Sequence, residues 1–255
     1  MEPIYARIRE RARKIVSRFP TPDFYKDFPQ ANEFSQQFFE TDPLIVELRI
    51  FIAEHLEDDF GHGFEHASKV AKDAGTLIYI EGNLAGYSDN VITRRLLIVQ
   101  CAGLFHDTKR KQKNHALKSA FFSEEVLKSY SLLHDEIKDI SHAIQNHEAF
   151  KTNFESNTPE DTLTSDCLYD ADKFRWGPDN FYYTVWDMVS FYKTPFSKFM
   201  HLYPKGMDTL HKIKNTFRTN TGKKYGPQFI EIGIAIGEEL FDVINNEFAH
   251  LLKED

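Results

Sequence analysis

The sequence predicts an all-α fold. Apolar residues recur at intervals of three and four positions in nearly every segment, which is the period of a helix with one buried face. No segment of the sequence shows a convincing alternation of apolar and polar residues, the pattern of a half-buried strand. With 255 residues, 41% of them hydrophobic, the chain can bury a substantial core, and we expect one all-α domain over residues 1–255.

Proline residues mark several of the predicted helix starts. Pro43, Pro159, Pro178 and Pro227 each follow Asp, Thr or Gly, and proline is tolerated in the first helical turn because no intrahelical hydrogen bond is lost there. The predicted helices span residues 4–18, 43–57, 64–81, 91–106, 115–130, 134–149, 160–173, 178–192, 206–218 and 227–252.

Two segments do not fit this helical pattern. Residues 20–39 are rich in proline and aromatic side chains, too apolar for a flexible linker, so we expect them to pack on the helical core. Residues 192–226 are interrupted by proline and glycine and carry several basic residues, which indicates a lid or a substrate-facing appendage.

Composition narrows the class of partner. The 31 basic and 39 acidic residues give a net charge of −8, so we expect no duplex nucleic acid partner, and any phosphate binding should be local. The sequence has no run of about 18 apolar residues and no secretion signal, which predicts a cytoplasmic protein that does not enter a membrane. Cys101 and Cys167 lie in apolar helical contexts, and we expect reduced thiols, with a disulfide as the alternative.

An ionisable pair ends the longest apolar run, LLIVQCAGLF, at His106 and Asp107. A buried carboxylate is costly without a cation or several hydrogen-bond donors, and a divalent metal is the natural partner of an adjacent imidazole and carboxylate. Upstream, His66 is in phase with Val70 on the apolar face of a helix, and downstream Asp172 lies on an inward-facing helical surface. The sequence therefore predicts a metal shell formed by His66, His106, Asp107 and Asp172.

The order and context of these residues resemble the HD superfamily of metal-dependent phosphohydrolases: a His, then a His-Asp pair, then a distant Asp within Asp-Ala-Asp-Lys-Phe. The resemblance covers roughly residues 58–175 as an HD-type core, with residues 1–57 as an N-terminal extension and 176–255 as a C-terminal helical appendage. It implies an HD-domain helical bundle with additional N- and C-terminal helices, in which Asp107 is the ligand able to bridge a second ion.

The donor types indicate which metals to expect, and three further histidines bear on their number. Two imidazoles and two carboxylates suit Mn, Fe, Co, Ni or Zn better than Mg. His115, His142 and His147 lie where binuclear branches of the superfamily carry additional histidines, so the chain could hold one or two ions. His142 and His147 diverge by about 140° on an ideal helix and are not expected to bind one ion together. Asn146 replaces the first histidine of the HD-GYP motif, which argues against cyclic-dinucleotide hydrolysis.

The resemblance implies hydrolysis of a phosphate ester of a small metabolite, with a nucleotide as the expected class, by a metal-activated water. Asp107, His62 and Lys109 are the candidate catalytic residues. The basic residues that follow the predicted ligands along the chain are the candidate substrate contacts: Lys109, Arg110, Lys173 and Arg175. A di-iron oxygenase of the HD fold and a non-catalytic nucleotide-sensing module are the alternatives. The sequence leaves the physiological substrate, the metal and the oligomeric state open.

Overall fold

A computed structural model describes residues 3–55, 63–156, 158–248 and 250. Across this part of the chain the secondary structure is helical and contains no strand, so the all-α prediction is confirmed. A π-helical turn at Asn180–Thr184 precedes α10. The α-helices are α1 Pro3–Val16, α2 Asp23–Asp27, α3 Pro29–Thr41, α4 Pro43–His55, α5 Phe64–Leu84, α6 Asp89–Phe105, α7 His115–Leu127, α8 His134–Gln145, α9 Pro159–Phe174, α10 Val185–Phe191, α11 Phe196–Ile213 and α12 Asn220–Glu247.

Helix α6 lies at the centre of the part that carries the predicted ligands. It packs against α4, α5, α8 and α9, and every residue from Leu96 to Phe105 is buried. A helix surrounded in this way has no polar face to present to water, which explains its unbroken apolar run. The run ends at the C-cap residue His106, so the His-Asp pair leaves α6 in the interior of the fold.

A close approach of two backbones brings α6 against α5. A Cβ atom added to Gly103 would lie 2.5 Å from the Cα and 2.8 Å from the backbone nitrogen of Ala71. Only glycine allows this distance, because any side chain at this position would overlap the neighbouring main chain. Gly103 on α6 and Ala71 on α5 thus set the spacing of the two helices that carry His66 and His106.

The prediction for residues 20–39 is correct about packing and incomplete about structure. Phe24 and Phe39 are buried in the main core, as expected. The segment is nevertheless helical over most of its length, since it forms α2 and α3. Pro29 occupies the first turn of α3, where its missing N–H costs nothing, so this proline starts a helix.

Residues 192–226 are helical over most of their length, in α11 and the start of α12, and their role as a lid or substrate-facing appendage stays a prediction. Pro204 lies inside α11 and Pro227 lies inside α12, which begins well before it. A proline in a helix interior costs roughly 3 kcal/mol. Burial offsets that cost at roughly 1.5–3 kcal/mol for each large apolar side chain, and Phe199, Leu210 and Phe229 are among those that these helices bury.

Two further expectations concern membrane-spanning helices and the redox state of the cysteines. No helix among them is long and apolar enough to cross a membrane. Cys101 and Cys167 are both buried, and neither forms a disulfide, which confirms the prediction of reduced thiols.

Replacing Gly103 by alanine is expected to lower the free energy of unfolding by roughly 1–3 kcal/mol, because the added methyl group must push α6 away from the α5 backbone. Urea denaturation followed by far-UV circular dichroism measures the change. Gly206, in α11, is the matched control, since a Cβ atom there meets nothing within 4 Å. Gly206→Ala should leave stability unchanged or raise it by up to about 1 kcal/mol, and an equal loss in both variants would contradict the packing argument.

Candidate metal centre

Helices α5, α6 and α9 bring the four predicted ligands together. His66 Nε2 lies 3.2 Å from His106 Nε2 and 3.4 Å from Asp172 Oδ1. His106 Nε2 lies 3.5 Å from Asp107 Oδ2 and 3.8 Å from Asp172 Oδ1. The four residues are 9% exposed or less. Side chains more than one hundred positions apart in sequence therefore form one buried cluster, which we call the first group.

The ring of His106 is held in a form that can bind a metal. Its Nδ1 atom lies 2.7 Å from the carbonyl oxygen of Gly103. A carbonyl only accepts hydrogen bonds, so Nδ1 carries the proton and Nε2 directs its lone pair into the cluster. Burial lowers the pKa of His106 to about 3, against the opposing effect of the nearby carboxylates, so the ring is neutral at physiological pH.

Lys173 keeps the Asp172 carboxylate charged. Its Nζ atom forms a short contact with Asp172 Oδ2 and donates a second hydrogen bond, of 2.9 Å, to the carbonyl of His147. Burial alone would raise the pKa of Asp172, but the Lys173 ammonium and the two histidine rings hold it well below the usual range. Lys173 is itself buried, so the prediction that it contacts substrate is corrected: its ammonium is committed to Asp172.

A second group shares Asp107 with the first. The Oδ1 atom of Asp107 lies 3.4 Å from His115 Nε2 and 3.5 Å from His147 Nε2, whereas Oδ2 faces the first group. The ligand atoms of Asp107, His115 and His147 all lie within 4.8 Å of one another, as do those of His66, His106 and Asp107. One carboxylate therefore places one oxygen on each of two neighbouring groups that could each hold a metal ion.

The ring nitrogens of the second group also fit a metal ion. The Nδ1 atom of His147 donates to the carbonyl of Ile144 over 2.6 Å, which leaves the Nε2 lone pair directed at Asp107. In the described part of the chain this buried Nε2 has no hydrogen-bond partner. His115 Nε2 also presents a lone pair, since it accepts a hydrogen bond of 2.7 Å from Arg110 Nη1. A bound cation would satisfy the lone pair of His147 Nε2, and it would take the place of Arg110 at His115 Nε2.

His142 does not belong to either group, and its prediction as a second-metal ligand is corrected. Its Nδ1 lies 2.8 Å from Asp161 Oδ1, and its Nε2 lies 3.0 Å from the carbonyl oxygen of Phe154. Both ring nitrogens are therefore engaged with oxygens between α8 and α9. The hydrogen bond and charge of Asp161 raise the pKa of His142 despite its partial burial. His142 thus fixes the loop that precedes α9.

Lys109 is also placed differently from its prediction as a catalytic and substrate-binding residue. Its ammonium lies over the ring of Phe122, 3.7 Å from the centroid, and its backbone nitrogen donates to Ser119. A cation held on an aromatic face in this way anchors the chain after α6 to α7. His62, the other predicted catalytic residue beside Asp107, lies outside the described residues.

Arg175 is buried in a polar network that joins three helices. Its Nη2 atom donates to the Tyr25 hydroxyl over 2.8 Å and pairs with Asp73, and its Nη1 lies 2.5 Å from Asp179. The carboxylates and the hydroxyl raise its pKa in spite of burial, so the guanidinium remains charged. Arg175 thus ties α9 to α5 and to α2, and its role as a substrate contact stays a prediction.

Asp170 lies apart from the cluster, as its sequence position two residues before Asp172 predicts. Its carboxylate accepts hydrogen bonds from the backbone nitrogens of Arg218, at 2.8 Å, and Thr219, at 2.9 Å. These donors precede α12, so Asp170 satisfies polar groups at the start of that helix.

Glu148 was missed by the sequence interpretation as a site residue: its Oε1 lies 3.9 Å from His115 Nδ1. The adjacent His147-Glu148 pair was the available signal.

Comparison with known proteins supports the fold. The structure is similar to the crystal structure of Bacillus subtilis YpgQ in complex with ADP, with a TM-score of 0.53 and 18% sequence identity. The match covers 78% of this chain and 96% of that chain. No family model and no curated protein sequence matches. At this identity the similarity establishes a shared helical fold and nothing finer.

Loss of a central ligand is expected to remove most bound metal. His106→Ala and Asp107→Ala should each weaken metal binding by roughly 10–100-fold or more while the far-UV circular dichroism spectrum stays helical, because the remaining donors form a weaker chelate. Inductively coupled plasma analysis after dialysis against Mn²⁺ measures the stoichiometry. Asp172→Asn should show the same loss, whereas Asp170→Asn should retain metal and lose only stability. The reverse pattern would show that the wrong carboxylate has been assigned to the centre.

The histidines of the second group should behave differently from His142. His115→Gln and His147→Gln are expected to remove a second equivalent of metal in a calorimetric titration of the apoprotein, since each contributes a lone pair beside Asp107 Oδ1. His142→Gln is the control, because its ring faces Asp161 instead. If the wild type and all three variants each bind one equivalent of metal and are fully active, the protein has no second metal position.

Proposed function

We propose that the protein is a metal-dependent phosphohydrolase of the HD superfamily that hydrolyses the phosphate ester of a small metabolite, with a nucleotide as the substrate class. The observation that carries the proposal is the pair of buried groups that share Asp107. The first group comprises His66, His106, Asp107 and Asp172, and these residues would hold the first ion.

The chain's own residues prepare this centre. The Gly103 carbonyl fixes the tautomer of His106, so the lone pair points inward without any rearrangement. Lys173 keeps Asp172 ionised and fixes its orientation from the opposite side. When bound, a transition metal would lower the pKa of a water molecule and stabilise negative charge on a phosphoryl oxygen.

The exposure of the side chains indicates where a substrate would approach. The side chain of His106 is fully buried, that of His115 is 12% exposed, and those of Arg110 and Glu148 are both 28% exposed. The cluster is therefore most accessible where α7 begins and α8 ends. Of the predicted substrate contacts, Arg110 lies on this side, within 3.5 Å of Asp107, where its guanidinium could bind a phosphate.

The nucleotide class has one independent support. YpgQ, which shares the fold over most of its length, was crystallised with ADP. An adenine nucleotide carries the phosphate groups that the metal-directed chemistry requires, so nucleotides are the first substrates to test.

The test is a substrate screen on chelator-treated protein. Nucleoside mono-, di- and triphosphates and an aryl phosphate are incubated with Mn, Fe, Co, Ni, Zn or Mg in turn, and release of phosphate or pyrophosphate is measured. We expect release with a transition metal, loss of release in Asp107→Ala, and retention in the fold control His142→Gln. No release under any condition would reject the proposal. Oxygen uptake by iron-loaded protein without phosphate release would instead support a di-iron oxygenase.

A further inference from the structure

Arg110 places a permanent positive charge inside the second group. Its Nη1 atom lies 2.7 Å from His115 Nε2 and 3.5 Å from Asp107 Oδ1. A guanidinium only donates hydrogen bonds and does not lose its proton in a protein, so it occupies the lone pair of His115 Nε2. A metal ion bound to the second group would need the same lone pair.

The two cations would also use the same carboxylate oxygen. Asp107 Oδ1 is the atom of Asp107 that both His115 and His147 approach, and Arg110 is paired with that same oxygen. Because His115 Nε2 has a single lone pair, the two cations exclude each other at that atom, and both would lie against Asp107 Oδ1. The first group differs, since it uses the other oxygen of Asp107.

We propose that Arg110 is an internal cation that occupies the second metal position and that an ion must displace to bind there. This inference rests on the metal centre of the proposed function and goes beyond it, because it names the residue that sets the occupancy of the second position. The Arg110 side chain is 28% exposed, so its guanidinium can move into water without becoming a buried, unpaired charge. The first position should therefore fill before the second.

Displacement would also change what Arg110 can bind. Once it releases His115, the guanidinium has free donors on the side of the cluster where its own side chain is 28% exposed. Its planar geometry matches the oxygens of a phosphate group. Binding of the second ion and capture of the substrate phosphate by Arg110 would then favour each other.

Calorimetric titration of Mn²⁺ into the apoprotein tests the competition. Arg110→Met keeps an unbranched stem like the aliphatic part of arginine but removes the guanidinium with its charge and donors. We expect its second-site affinity to rise about tenfold or more, because binding no longer breaks a charge-assisted hydrogen bond, with a smaller rise at the first site. Lys113→Met removes an exposed positive charge from the same loop and should leave both affinities unchanged.

Chemical rescue separates competition from a structural role. In Arg110→Ala, guanidinium chloride at millimolar concentration should weaken Mn²⁺ binding at the second site, since the free cation can refill the vacated space. Urea, which has nearly the same shape without the charge, and sodium chloride at equal ionic strength should have no such effect. A residue that only supports the fold would give no difference between guanidinium and urea.

The possible failures are distinguishable. Equal or weaker second-site binding in Arg110→Met, or equal effects of guanidinium and urea on Arg110→Ala, would overturn the role of Arg110 even if the first site binds metal and the substrate screen succeeds. Absence of metal binding at any site in wild-type protein and in both variants would reject this inference together with the proposed metal centre.

Discussion

The burial of two carboxylates, Asp107 and Asp172, is the constraint on which the rest of the site depends. Neither is more than 5% exposed, so water cannot stabilise their charges. Among the described residues, a cation lies beside each carboxylate: Lys173 beside Asp172 and Arg110 beside Asp107. The two arrangements differ in strength. Lys173 is buried and makes a direct hydrogen bond to its carboxylate, whereas Arg110 is partly exposed and lies 3.5 Å from Asp107.

Packing of the central helices determines whether the histidines can meet over these carboxylates. His66 is carried by α5 and His106 by the end of α6, and Gly103 lets the α6 backbone lie against Ala71 on the helix that carries His66. The same residue supplies the carbonyl that fixes the His106 tautomer. Gly103 therefore contributes both to the packing of α6 on α5 and to the orientation of the His106 ring. For this reason we expect even an apolar substitution of Gly103 to disturb the centre.

The sequence predicts the four residues of the first group well because their positions follow from helical periodicity: an apolar face fixes where His66 and Asp172 point, and an apolar run fixes the depth of His106. The sequence predicts poorly which groups the lysine and arginine side chains contact. Lys109, Lys173 and Arg175 follow predicted ligands along the chain, yet their flexible side chains end on partners from other helices, which spacing alone does not reveal. The same limit applies to Pro204 and Pro227, where burial of neighbouring side chains outweighs a local helix-breaking preference.

Charge balance connects the centre to the proposed class of substrate. Before any metal ion binds, Lys173 is hydrogen-bonded to Asp172 and the Arg110 guanidinium lies 3.5 Å from Asp107, so each of the two carboxylates already has a cation near it. A divalent ion in the first group would leave an excess of positive charge in a region of low dielectric constant, where such an excess is costly. An anionic group that reaches the ion from the side of Arg110 removes this cost, and a neutral ligand does not. The cluster is thus suited to a ligand that carries negative charge to the metal, which is the property that a phosphate ester has and an uncharged metabolite lacks.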